Sequence, residues 1–148
     1  MAAPQDADLY LKNQLCFALY ATALAMGKTY RPLLAELGLT YPQYVVLMAL
    51  WQHGELSVGA VGETVSLDSG TLSPLLRKLD SQGLVRRARS SQDDRSVLIS
   101  LTPAGRALRK RAHGVRAKVA CSTGCNAAQR EDLMAQLNHL RTALLAAG

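Results

Sequence analysis

The chain has 148 residues, 49% of them apolar, and a formal charge of +6. That is the length of one domain with a real core, and no apolar run is long enough to span a bilayer. The opening MAAPQDADLY has neither a basic stretch nor an apolar one, which reads against a secretory leader and toward the cytoplasm.

Residues 7–29 read as a first helix, because Leu9, Lys12, Cys16, Leu19, Ala23, Met26 and Tyr30 recur at steps of three and four. Pro32 is expected to end or restart it, and a short helix from Leu33 to Leu37 closes at Gly38. In LTYPQYVVLMALWQHG, Pro42 suits a first helical turn and Gly54 a stop. Leu56 to Val65 reads as a short helix capped by Ser57.

LDSGTLSPLLRKLDSQG predicts another helix, ending at Gly83. Leu72, Leu75, Leu76 and Leu79 make its buried face; Gly70, Ser73, Arg77, Lys78 and Ser81 lie opposite. Pro74 would remove a hydrogen bond deep in a helix, so it is expected in or near the first turn. The period then changes. LVRRARS and RSVLISLT are strand-like runs around a polar tip, SQDD. Thr102 and Pro103 form a cap and first-turn pair for a long helix through RALRKRAHGVRAK, and after CSTGCN a last helix aligns Leu133, Leu137, Leu140 and Leu144. The order predicts a mainly α protein of one domain: a winged helix–turn–helix with a two-stranded β wing, flanked by terminal helices.

Charge and aromatic residues are segregated along this order. Between Arg77 and Lys118 there are twelve Lys and Arg against Asp80, Asp93 and Asp94, a local +9 that suits a polyanion. Every aromatic precedes position 52, so the basic part has no ring to stack on an unpaired base. A duplex is the better partner for it. On the helix, Ser69, Thr71 and Ser73 can bond phosphates or base edges, Arg77 can reach a guanine or phosphate, and Gly70 permits close backbone approach. In the wing, which starts at Arg86, Arg95 is placed to enter a narrow minor groove with Asp93 orienting it.

The three cysteines are Cys16, Cys121 and Cys125. An odd number suits free thiols in a reducing compartment, and the spacing of Cys121 and Cys125 without a second pair points to no metal. Cys16 leaves two readings open. It is a small hydrophobe on an apolar stripe, or a reactive thiol that needs added hydrogen-bond donors, since its apparent place well inside a helix is remote from the terminal amides. No histidine is near in sequence, and the tyrosines are the available donors.

The segments LCFALY, YRPLL, LGLTYPQYVVL, LDSGTLSPLLRKLDSQGLV and DDRSVLISLTPAGR resemble the multiple antibiotic resistance regulator (MarR) family, and within it the organic hydroperoxide resistance regulators. The resemblance extends from about Leu15 to Arg106. It implies a homodimer whose terminal helices (about 7–38 and 103–146) intertwine around winged-helix parts (about 41–102). The helix at Ser69–Gln82 would enter a major groove of double-stranded DNA and the hairpin a minor groove. It further implies that Cys16 senses organic hydroperoxide, that Tyr30 and Tyr41 of the partner chain donate to its thiolate, and that Cys121, or less well Cys125, resolves the oxidised sulfur. Phe17, Leu19, Tyr20, Met26, Tyr44 and Trp51 would form the apolar pocket that prefers an organic peroxide. The implied protein is a repressor without cofactor or catalytic residues. Two alternatives are a repressor answering to a bound lipophilic acid, with Cys16 structural, and a thiol peroxidase, which the absence of a CxxC pair disfavours.

Overall fold

The computed structural model describes residues 4–148; the first three residues of the opening segment lie outside it. Two short 3-10 turns, Pro4–Leu9 and Leu11–Asn13, precede α1 (Leu15–Ala35). There follow α2 (Tyr41–His53), β1 (Leu56–Ser57), α3 (Val58–Val65), α4 (Ser69–Ser81), β2 (Val85–Arg89), β3 (Val97–Leu101), α5 (Pro103–Ser122) and α6 (Ala127–Ala147). The winged helix–turn–helix predicted from the periodicity is present.

The local signals place most boundaries. Thr40 and Gln43 form a reciprocal capping box at the start of α2, with Pro42 in its first turn, and Gly54 ends it at φ 83°. The Ser57 hydroxyl accepts from the Ala60 amide, and the Asp68 carboxylate from that of Thr71. Such caps satisfy N–H groups that the helix itself leaves unpaired. Thr102 caps α5 through the Gly105 amide and donates its own hydroxyl to the Gly83 carbonyl, so this cap also ties α5 to the end of α4. Gly105 is required there: a Cβ would collide with the Leu84 carbonyl.

Four expectations are corrected. The first helix does not begin near residue 7. The carboxamides of Asn13 and Gln14 donate to the carbonyls of Ala7, Asp8 and Tyr10, and Gln14 is extended at φ −96°, ψ 120°. Side chains that compete for backbone carbonyls in this way break a helix. Pro32 neither ends nor restarts α1, which continues to Ala35, so no separate helix runs from Leu33 to Leu37. Pro32 removes one hydrogen bond near the end of the helix, while burial of Leu34 (1% exposed) holds the last turn in the core. Pro74 is the sixth residue of α4, past the first turn; the nearly unexposed Leu72, Leu76 and Leu79 keep the helix seated, with Leu75 only half-buried. Finally, the sheet has three antiparallel strands in the order β1-β3-β2, with Leu56 opposite Ile99 and Val85 opposite Leu101. A two-residue strand carries no period of its own, so β1 exists only through its pairing with β3.

Residues up to Val115 make one compact unit, and Arg116–Gly148 a second. The first has a core of Val46, Leu47, Leu50, Val61, Leu72, Leu76, Leu79, Val85 and Ile99, each at 1% exposure or less. In the second, α6 has no buried residue, and the predicted leucine stripe is largely exposed, with Leu133 at 49% and Leu144 at 61%.

Candidate functional site

One face of the first unit is built for an anionic partner. The leucines seat α4 and turn Ser69, Gly70, Thr71, Arg77 and Lys78 outward, with Ser73 half-buried. At the start of α4 the Asp68 carboxyl is held below its ordinary value, first by the backbone N–H of Thr71 and then by that residue's side chain. A groove of about 490 Å³ separates α4 from the wing, lined by Ser57, Gly59, Ser73, Arg87, Asp93 and Arg95 among others.

The wing tip is a tight turn. The Asp93 carboxylate accepts from the backbone N–H of Arg95 at 3.0 Å, its carbonyl accepts from Ser96 at 3.0 Å, and Ser90 donates to the Ser96 carbonyl at 2.8 Å. Asp93 therefore orients Arg95 through the backbone, and the guanidinium stays exposed. Arg86 is exposed on β2. Its neighbour Arg87, which the sequence reading did not single out, pairs with Asp80 of α4 at 3.1 Å, the one ion pair among the described residues. Both side chains are about 40% exposed, so the pair fixes wing to helix more than it stabilises the fold, at about 0–1 kcal/mol.

The thiol and its expected neighbours lie apart. Cys16 is the second residue of α1 and exposed, so it stands among the free amides of a helix start, contrary to the expectation of a buried site remote from them. Tyr30 lies fourteen residues further along the same helix, a rise of about 21 Å. Tyr30 packs instead on Tyr41 (ring centroids 4.9 Å) and Tyr44 (5.7 Å), and Tyr44 meets Trp51 edge-on at 6.3 Å. The expected pocket is thus not one site within a chain. Cys16, Phe17, Leu19 and Tyr20 stand at one end of α1, and Met26 is midway. Tyr44 is core, and Trp51 donates its indole N–H to the Gly105 carbonyl at 2.9 Å.

In the second unit Cys121 is exposed in the last turn of α5. Cys125 is half-buried, with its thiol donating to the Thr123 carbonyl at 3.6 Å and its own carbonyl accepting from Arg130. Besides Arg87, the sequence reading missed Gln43 and Gln82, whose side chains join at 3.1 Å. The T-x-x-Q spacing at Thr40 announces the capping role of Gln43; nothing local announces Gln82.

A helix–turn–helix whose exposed helix and basic wing flank one groove defines a winged-helix DNA-binding protein. The model of the SarA/Rot transcriptional regulators matches residues 28–111. The organic hydroperoxide resistance transcriptional regulator of Bacillus subtilis is 54% identical over 102 residues, 69% of each chain. The regulator TtmR of Methylorubrum extorquens is 47% identical over 140 residues, 95% of this chain and 72% of its own. Among solved structures, reduced AbfR bound to DNA is similar with a TM-score of 0.76 and 28% identity, over 95% of this chain and 99% of that one. Disulfide-formed AbfR is similar at 0.64 and 32%, over 92% and 96%; AbfR comes from Staphylococcus epidermidis. The chain belongs to the MarR/SarA-type winged-helix transcriptional regulators, on the organic hydroperoxide resistance branch. No helix among the described residues is long and apolar enough to cross a membrane.

Proposed function

We propose that this chain is a homodimeric, redox-sensing repressor of the cytoplasm that leaves its operator when an organic hydroperoxide oxidises Cys16. The observation that carries this reading is the separation of about 21 Å along α1 between Cys16 and Tyr30. Cys16 and Tyr30 stand fourteen residues apart on one helix, and Tyr41 packs on Tyr30 from the start of α2, so the thiol and these donors cannot meet within a chain but can meet between two chains. The exposed apolar side chains beside Cys16 (Leu15, Phe17, Tyr20) and on α6 supply surface for that pairing. The segments at about 7–38 and 103–146, which hold α1, α5 and α6, then form the dimer, and the part at about 41–102 holds DNA.

In this dimer Tyr30 and Tyr41 of one protomer donate to the Cys16 thiolate of the other, and Phe17, Leu19, Tyr20, Met26, Tyr44 and Trp51 make the peroxide's surroundings apolar. The thiolate attacks the distal peroxide oxygen. The O–O bond breaks, the alcohol leaves with a proton, and sulfur becomes a sulfenic acid. The Cys121 thiol of the other subunit then displaces water to give a disulfide. Its exposure favours it over Cys125, whose S–H is engaged. Helix ends move to bring the sulfurs together, the spacing of the two α4 helices changes, and a pseudo-palindromic operator is released. In DNA, Ser69, Gly70, Thr71, Ser73, Arg77 and Lys78 serve the major groove and Arg86, Asp93 and Arg95 the wing contact.

The test is binding to a palindromic promoter fragment before and after stoichiometric cumene hydroperoxide, then after dithiothreitol. Binding should be lost and regained, with a covalent dimer on non-reducing gels. Cys16→Ser should bind and ignore peroxide; Cys121→Ser should react without forming the covalent dimer. Tyr30→Phe should slow thiol oxidation while sparing reduced-state DNA binding. A response that survives alkylation of all thiols would overturn the redox reading in favour of a repressor answering to a bound ligand.

A further inference from the structure

The buried polar residue of α2, Gln43, joins the tyrosine cluster to the end of α4. It is 4% exposed and stands between Tyr41 and Tyr44. Its side-chain oxygen accepts from the Thr40 amide at 3.0 Å, and its side-chain nitrogen donates to Oε1 of Gln82 at 3.1 Å. Gln82, the C-cap of α4, donates in turn to the Gly38 carbonyl at 3.0 Å. The turn between α1 and α2, the first turn of α2 and the last turn of α4 thus share one hydrogen-bonded network. A carboxamide buried this fully is costly to leave unpaired, so Gln43 cannot shift without either drawing Gln82 along or breaking the network.

We propose that Gln82 is a positioning residue that transmits the state of the thiol site to the DNA-reading surface. The inference rests on the redox reading above. Tyr41 lies at the start of α2 and packs on Tyr30 at 4.9 Å, so a change in what these hydroxyls bind is felt in the turn that holds Gln43. At the other end, the Gln82 amide donates to the Lys78 carbonyl at 3.0 Å, one turn from Arg77 and Lys78, and the chain passes through Gly83 (φ 73°) into the wing. A displacement of Gln82 therefore moves the end of α4 and the root of β2 together. Gln82 acts through α4 and not on the sulfur.

The test uses the full chain carrying Gln82→Met, which keeps the length of the side chain and removes both hydrogen bonds. Operator Kd is measured for reduced and oxidised protein, with the rate of Cys16 thiol loss, beside wild type. The rate should match wild type, and reduced-state Kd should stay within about threefold, while the oxidised-to-reduced Kd ratio should fall by about fivefold or more, the lower range of allosteric couplings. A merely structural role would weaken both states in proportion and leave the ratio unchanged, which overturns the proposal; so would a changed rate of thiol loss. Should reduced Gln82→Met fail to bind, amide exchange at Gly83 and Leu84 replaces DNA as the readout. Oxidation should speed exchange there in wild type and leave it unchanged in the variant, and equal acceleration in both overturns the proposal. Wild type that keeps its DNA after oxidation defeats the redox reading itself.

Discussion

The winged-helix part and helix α6 are both rich in leucine, yet they end in opposite states. Leu47, Leu50, Leu72, Leu76 and Leu79 are at 1% exposure or less, whereas on α6 Leu133, Leu137, Leu144 and Leu145 range from 40% to 74%. The first region closes its own core from three helices and a small sheet. The second is a capped, well-formed helix with no buried residue. Burial in the first is a property of that unit's own fold, while the second leaves its leucines exposed. The start of α1, with Leu15 at 62% and Tyr20 at 63%, belongs with α6 in this respect.

The largest effect should come from charging the uncovered helix. Leu137→Lys should leave the circular dichroism of the folded chain intact and convert a dimer to a monomer in sedimentation, with operator affinity reduced by orders of magnitude because two half-sites are no longer held together. Unchanged sedimentation would mean that α6 is not the covered surface. The counterpart in the closed core is Leu76→Ala. It should cost about 2–5 kcal/mol of stability through lost burial and the cavity left behind, read by denaturant melts at saturating protein concentration. A loss well below that range would show that the core is less closed than its exposures indicate.

On the DNA face the expected changes are smaller. Arg95→Ala should weaken operator binding and lower the slope of log K against log salt by roughly one per subunit, and Arg77→Ala should weaken binding with relaxed sequence preference. Both act on the self-contained region, so neither should alter the oligomeric state. Smallest is the Asp68 cap. Its carboxyl is held below the ordinary 3.8 by hydrogen bonds that exist only when folded. Its contribution is therefore present above about pH 4 and lost as pH falls through the lowered value. Asp68→Asn should make the acid limb of the stability profile shallower below pH 4 and lower stability slightly near pH 7, where the carboxylate's contribution is present, as thermal melts across pH would read.

Much of this architecture is legible in short stretches of chain. Thr40 with Gln43, Ser57, Asp68 and Thr102 with Pro103 start helices, and Gly54 and Gly83 stop them, because a cap acts within a few residues of itself. The apolar faces of α4 and the wing strands follow from periods that any helix or strand imposes. Where the sequence reading failed, a distant partner or a local competitor decided. Two carboxamides, at Asn13 and Gln14, break a pattern that looks helical from residue 7, and thereby put Cys16 in a first turn. Pro32 and Pro74 sit inside helices because buried leucines offset the lost hydrogen bonds.

The sequence by itself determined the helix order, the hairpin, the basic face and the motifs that place the chain among winged-helix regulators, since each depends on spacing along a few turns. Only the tertiary structure decided that β1 joins the sheet, that Arg87 and Gln82 bind α4 to its neighbours, and that one helix separates Cys16 from Tyr30. Those facts are contacts and distances between residues that share no local pattern. A pairing across thirty-nine positions, such as Gln43 with Gln82, leaves no trace in the residues adjacent to either.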